Sequence, residues 1–327
     1  MNDTPKWEGK KIPQTCFFYW GNGRMPFVNF LSIASFKKHH PDWKIVFIRP
    51  KDNNLTKKTW TSREQAAEII DGKDYDYAIK ASEFADEVWD FDFREILEDT
   101  AHHDVQKADR LRVFLMYKYG GMWSDTDVLY LKSVNNINLK NTSLSMSQAP
   151  QALDAVLCYY QYGFTEVDWP FYSTGALFAN PKNQIFKDLN EASLKYLEKK
   201  HYQSGGPALF STLWPTLKDL IGSFPDLHVG NLDYHIFYPF RAYQIELFYT
   251  NSSERNGEIL DTYRSLDGEP STRIANSSTV AVHWFNGHPG SATARIGTIR
   301  GYAAVHPVTF ERDSQFAETI RPYKDLY

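Results

Sequence analysis

Long apolar runs are missing from this 327-residue chain, whose obvious apolar stretches are as short as Cys16 to Trp20. A membrane-crossing helix needs roughly 20 consecutive apolar residues, so none is expected. No secretory leader is visible either, and a cytoplasmic protein with at most peripheral membrane association is the expectation. Cysteine is scarce, with Cys16 and Cys158 the only two. Two cysteines cannot make a disulfide framework, and their spacing fits no metal motif. Both lie in apolar surroundings and read as buried free thiols. The charge balance lacks a dominant sign: 36 basic and 40 acidic residues leave a formal −4. Without a Lys/Arg-rich tract, nucleic acid is not expected as the main partner. No internal repeat, heptad run or low-complexity tract is present, and no linker divides the chain.

What the chain does have is a hydrophobic fraction of 42%, enough for a large core, and 16% aromatic residues. Aromatic faces can stack on sugars and nucleobases, although most of them fill the interior. Ile12 to Trp20 reads as a buried strand followed by a Gly21–Gly23 turn. Pro26 to Lys38 has helical character and Lys44 to Ile48 reads as a second strand. Strand, helix, strand at this spacing is a βαβ unit with parallel strands. Such sheets bind ligands beyond the carboxyl ends of their strands, and Trp20 lies at one of these ends. Helices are expected over Thr61–Ile70 and Phe93–Asp99. Leu153–Gln161 is compatible with helix or strand. Tyr172–Asn180 reads as turn plus strand, Ile185–Lys199 as an amphipathic helix, and Pro207 suits the first turn of another helix. Residues 251–278 are polar and read as an excursion. Val280–Phe285 is a late strand.

The informative stretch is Val105 to Ser133, VQKADRLRVFLMYKYGGMWSDTDVLYLKS. Ala108, Leu111, Leu115 and Tyr119 recur at helical spacing. Asp109 and Arg112, three residues apart, project from one side of that helix. Gly120 and Gly121 end it, since glycine takes the left-handed cap conformation without steric cost. Asp125-Thr126-Asp127 follows, then an apolar run from Val128 to Leu131. Two aspartates at i and i+2 on a bend can offer oxygens to one hard divalent cation, which commonly bridges to phosphates. A solvated turn or a helix cap is the bland alternative for the aspartates, and a surface ion pair for Asp109 and Arg112.

KADRLRVFLMYKYGGMWSDTDVLYLKS resembles the DXD-containing sugar-binding region of a glycosyltransferase family. Its members include yeast-type α-1,6-mannosyltransferases, α-1,4-galactosyltransferases, bacterial capsular enzymes and the glucosyltransferase domains of large clostridial toxins. The resemblance is strong over about residues 100–135 and looser over about 12–50 and 170–290. It implies an α/β fold of the GT-A type: a Rossmann-like nucleotide-binding sheet flanked by helices and merged with an acceptor-binding subdomain. A single catalytic domain is expected, with about residues 1–150 holding the nucleotide sugar. About 151–327 would form the acceptor half and a carboxyl-terminal metal and lid loop.

The activity implied is metal-dependent, retaining transfer of a hexose or N-acetylhexosamine in polysaccharide biosynthesis. The donor would be a nucleotide diphosphate sugar, UDP favoured over GDP, with Mn²⁺ or Mg²⁺. The acceptor would be a hydroxyl of a glycan, glycolipid or protein. By the same resemblance Asp127 ligates the metal directly, while Asp125 contacts the ribose or sugar, or the metal through water. Asp109 meets sugar hydroxyls, Arg112 the sugar or diphosphate, and Trp20 stacks on the base. His283, at the end of the late strand, completes the metal site, since imidazole is an acceptable partner for Mn²⁺ beside carboxylates. His288 and Ser291 would donate to the diphosphate from a closing loop, and the Gly205–Pro207 turn would lie near the acceptor side.

Two departures from the family pattern stand out. Thr174 occupies the place of a polar amide, and Ala292 and Thr293 stand where relatives carry a tryptophan. Two other function classes share parts of this pattern. A non-catalytic nucleotide-sugar or glycan-binding protein would share this scaffold. A haloacid-dehalogenase-type phosphatase would need a strongly apolar strand directly before its first aspartate, and Gly-Gly-Met-Trp-Ser is not one.

Overall fold

The computed structural model describes residues 12–52, 75–98, 102–137, 139–140, 147–148, 150–161, 170–197, 205–240, 245–249, 279–284, 307–312 and 314–327. The helix expected over Thr61–Ile70, the polar stretch 251–278 and the loop bearing His288, Ser291, Ala292 and Thr293 lie outside them.

The elements follow in order: β1 (Thr15–Tyr19), α1 (Phe27–His39), β2 (Lys44–Pro50), α2 (Ala78–Phe84), β3 (Glu87–Phe91), α3 (Asp104–Lys118), β4 (Gly121–Ser124) and β5 (Val128–Tyr130). Then come β6 (Leu139–Lys140), β7 (Ser147–Gln148), β8 (Ala155–Gln161), β9 (Pro170–Ala179), α4 (Gln184–Leu197), α5 (Pro207–Leu213), α6 (Leu217–Ser223) and β10 (Val229–Asn231). The last are α7 (Glu246–Tyr249), β11 (Ala281–His283) and α8 (Gln315–Ile320). Phe93–Asp99 does not form the expected α-helix. Phe93–Glu95 is a single 3-10 turn, capped by the Asp92 side chain accepting from the Arg94 amide. Leu153–Gln161, open between helix and strand on sequence, is strand from Ala155 onward.

The main sheet has seven strands in the order β10-β8-β9-β4-β1-β2-β3. Every neighbouring pair is parallel except those made by β9, which runs against both β8 and β4. The architecture is therefore α/β, as the GT-A reading requires. Side-chain alternation divides the interior in two. Cys16, Phe18, Ile45 and Phe47 face a core capped by α1 and α2. Phe17, Tyr19, Val46 and Ile48 face another, filled by Leu111 and Leu115 of α3, Phe186 of α4 and Phe210 of α5. Both cysteines are buried and free, and burial raises each thiol pKa.

The chain leaves β1 toward β2 on one side, and β4 joins β1 on the other. In open α/β sheets such a reversal opens a crevice at the strands' carboxyl ends. Trp20 and Asp125 are the residues that follow β1 and β4 there. A two-stranded ribbon, β11 against β5, adjoins this end, with His283 paired to Val128. Among the described residues, no helix is long and apolar enough to cross a membrane.

Candidate functional site

Helix α3 supplies the first charged pair. Leu111 and Leu115 bury it against the sheet, which carries Asp109 and Arg112 inward with them. The helix stops at Lys118, and Gly120 and Gly121 take φ of 65° and 93°. That is the left-handed region that side chains disfavour. Tyr119, expected on the apolar stripe, is instead 40% exposed. It lies past the end of the helix and rests its ring near Trp89 and Phe17. The glycines turn the chain into β4, so that the Asp125–Asp127 bend emerges at the sheet's switch point.

Arg112 is 5% exposed and heavily engaged. Its Nη2 lies 2.9 Å from Asp109 Oδ1, and its Nη1 lies 3.6 Å from Asp125 Oδ1. Nη1 also donates to the Thr174 carbonyl and hydroxyl, each at 2.7 Å. The guanidinium carbon sits 5.3 Å from the centre of the Trp123 ring. Burial works against the positive charge, but Asp125 and Asp109 more than restore it, so the pKa of Arg112 stands above its ordinary value. The planar fork suits this split duty, since each terminal nitrogen has more than one N–H to give. Burial pushes the Asp125 carboxyl up, opposed by Arg112 and by the Trp123 indole N–H, which donates to Oδ1 at 2.7 Å.

The opposite wall comes from β11. His283 Nε2 lies 3.2 Å from Asp127 Oδ1. One ligand atom each from Asp125, Asp127 and His283 fall within 4.8 Å of one another. Two hard carboxylate oxygens and one imidazole nitrogen make a donor set that suits Mn²⁺, and one that Mg²⁺ accepts less readily. The residues present thus fit a divalent cation. Gly175 of β9 makes the convergence possible. A Cβ there would come within 2.7 Å of the His283 ring and 3.0 Å of the Tyr238 hydroxyl. Its carbonyl accepts the Asp125 amide at 2.8 Å.

The structure therefore brings Asp109, Arg112, Asp125, Asp127 and His283 together. The Gly205–Pro207 turn adjoins them, since a Cβ on Gly206 would lie 2.7 Å from Asp109 Oδ1. Trp20 lies at the carboxyl end of β1 and is 5% exposed, packing in the α1-side core while its indole N–H donates to the Gly23 carbonyl at 3.3 Å. Thr174, noted on sequence as a departure, is the residue that anchors Arg112.

Sequence reasoning passed over Gly175 and Asp104. Asp104, with no exposure, accepts from the Tyr19 hydroxyl at 3.1 Å and from Asn22 N and Nδ2 at 3.1 and 3.4 Å. It ties the first turn of α3 to the loop after β1. Burial raises its pKa, with Lys107 and Asn22 in opposition. A carboxylate in the first turn of a helix is ordinary enough that nothing in the sequence marked it.

Residues 26–144 match the glycosyltransferase sugar-binding region containing DXD motif. Residues 89–204 match a capsular polysaccharide synthesis protein family. No curated protein matches the chain. Among solved structures, the chain is similar to the PaToxG glycosyltransferase at 14% identity and a TM-score of 0.43, covering 65% of this chain and 70% of that one. It is also similar to the glycosyltransferase GlyE of Streptococcus pneumoniae, at 12% identity and 0.40, covering 84% and 54% respectively. The galactosyltransferase LgtC, solved with donor and acceptor sugar analogues, is similar at 14% identity and 0.35, over 83% and 86%.

Proposed function

We propose that this chain, whose residues 26–144 match the DXD-containing sugar-binding region of glycosyltransferases, is a glycosyltransferase that moves a hexose or N-acetylhexosamine from a nucleotide diphosphate sugar to a hydroxyl of a glycan, glycolipid or protein. The reading takes the transfer to be metal-dependent and retaining, with Mn²⁺ favoured, a UDP-sugar as the first candidate donor and a GDP-sugar as the second. The observation that carries it is the meeting of Asp125, Asp127 and His283, from two distant segments, beside the buried Asp109–Arg112 pair.

In this reading Asp127 and His283 would hold the cation, and Asp125 would contact the ribose or sugar, or the cation through water. A divalent cation there supplies charge neutralisation at the departing diphosphate. Arg112 adds fixed positive charge in a water-poor setting, where it is worth more than in solvent. Its orientation is set in advance by Asp109 and Thr174, so little reorganisation is needed at the moment of reaction. Asp109 orients the sugar by its hydroxyls, Trp20 lies against the nucleobase, and His288 and Ser291 donate to the diphosphate. The first half of the chain serves the donor and the second shapes the acceptor cleft, in a protein of the cytoplasm engaged in polysaccharide synthesis.

Release of nucleotide from a panel of UDP- and GDP-sugars, with Mn²⁺, Mg²⁺ or a chelator, tests this. The wild type should release one nucleotide in a metal-dependent way, and Asp127→Ala should lose about 10²–10³-fold in rate, the scale for a preorganised charge-stabilising group. Metal-dependent binding of a nucleotide sugar without turnover on any acceptor would favour a sugar-nucleotide-binding protein. Absence of any nucleotide-sugar binding would remove the reading.

A further inference from the structure

Helix α1 is buried on all sides from Phe27 to Phe36, and that burial includes Asn29, Ser32 and Ser35. Spaced three residues apart, these polar side chains share one face, and that face is turned toward the strand that follows the acid pair. Polar groups buried in this way usually find partners, and here, Asn29 Oδ1 apart, their partners are backbone. Ser32 Oγ donates to the Thr126 carbonyl at 2.7 Å and accepts from the Val128 amide at 3.2 Å. Asn29 Nδ2 donates to the same Thr126 carbonyl at 3.1 Å. Ser35 Oγ accepts from the Tyr130 amide at 3.0 Å.

Thr126 is the middle residue of Asp125-Thr126-Asp127. Its carbonyl is held from behind by two side chains of α1, and the first amide of β5 is held by one of those same two. From the other sides, Asp125 N donates to the Gly175 carbonyl at 2.8 Å and Trp284 N to the Asp127 carbonyl at 2.9 Å. The bend is thus fixed at each residue by a different element: β9, α1 and β11. Of these three, α1 holds the bend through side chains, so a substitution there can loosen it without altering the sheet's own hydrogen bonds.

We propose that Ser32, with Asn29 in support, is a positioning residue for the acid pair: its hydroxyl clamps the Thr126–Val128 backbone so that both carboxylates face His283 and Arg112. The proposal rests on the metal reading above in one respect, that a correctly aimed pair should bind a cation more tightly. Loss of a supporting hydrogen bond around ligands typically costs about 10–100-fold in metal affinity.

The test is Mn²⁺ affinity by electron paramagnetic resonance, together with amide hydrogen exchange over residues 125–130, for the full chain and for Ser32→Ala, Asn29→Leu and Ser35→Ala. Ser32→Ala should weaken Mn²⁺ binding about tenfold and speed exchange at Val128. Asn29→Leu leaves the Ser32 bonds intact and serves if Ser32→Ala does not fold; it should weaken binding in the same direction by less. Ser35→Ala removes the same kind of bond farther along β5 and should leave Mn²⁺ affinity within about twofold, a split that general loss of helix packing would not produce. Unchanged affinity and exchange in Ser32→Ala, or an equal loss in Ser35→Ala, would overturn the proposal. Should the wild type bind no Mn²⁺, the metal reading fails, and exchange decides this inference: faster exchange of the bend in Ser32→Ala but not in Ser35→Ala upholds it, and any other pattern overturns it.

Discussion

The bend between β4 and β5 has two sides, and they bury polarity in opposite ways. On the α3 side the buried groups are ionised. Asp109, Arg112 and Asp125 form a charged cluster in which the Arg112 Nε is left without a partner among the described residues. On the α1 side the buried groups are neutral: two hydroxyls, an amide and the imidazole of His40. His40 Nε2 accepts the Val134 amide at 2.7 Å and Nδ1 donates to the Phe36 carbonyl at 2.8 Å, which uses both ring nitrogens and defines the neutral tautomer. Burying ions costs several kcal/mol each unless their geometry compensates, whereas satisfied neutral groups cost little. The charged side is therefore where a free-energy sacrifice is visible, and it is also where the candidate chemistry sits. The neutral side holds the bend still.

The sharpest way to break this contrast is Arg112→Ala. It leaves the buried Asp109 without its cation and the partly buried Asp125 without its neighbour, and unfolding free energy in urea should fall by about 3 kcal/mol, as for other buried pairs that lose one partner. A loss of less than about 1 kcal/mol, the scale of exposed pairs, would show that the cluster is better solvated than its burial implies.

The neutral side should speak through pH. Burial, ahead of any other influence, lowers the His40 pKa from 6.5 to about 4. As pH falls from neutrality the unfolded chain takes up this proton first. The stabilisation is therefore complete above about 6.5 and is lost progressively down to about 4, a total of about 3 kcal/mol. Unfolding curves between pH 7 and 4 should show this slope in the wild type, and His40→Phe should lack it.

A third test acts where the two sides meet. Gly175→Ala should displace the His283 ring and weaken Mn²⁺ binding about tenfold, measured by calorimetry, while Gly222→Ala, where a Cβ meets nothing within 4 Å, should not. The smallest effect belongs to the surface. Lys37 and Asp86 pair at 2.8 Å but are 33% and 41% exposed on their side chains, so Lys37→Met should change stability by less than about 1 kcal/mol.

Much of the chain's first 130 residues was legible because its signals are local. The βαβ start, the glycine stop after α3 and the side-by-side placement of Asp109 and Arg112 each follow from the geometry of one element or one turn. The strand β3 was missed, since its pattern Glu87-Val-Trp-Asp-Phe has one exposed face and sits at a sheet edge. The α1 face was missed for a different reason. Asn29, Ser32 and Ser35 at threefold spacing look like any solvated stripe. Only the neighbour across the interface reveals that they serve backbone groups. Thr174 was noticed as a departure, but its use as an anchor for Arg112 required β9 to lie beside β4.

The sequence alone determined the α/β order, the two thiols without disulfide chemistry, and the charged residue types that lie close together along the chain. Those features depend on the dihedral preferences and side-chain spacing of short segments. Tertiary structure decided which distant groups complete them: His283 against Asp127, Gly175 against His283, Asp104 against the loop after β1, and Ser32 behind Thr126. These contacts depend on strand order and on the face each element presents, and both are settled by burying the whole apolar surface at once rather than by any one segment.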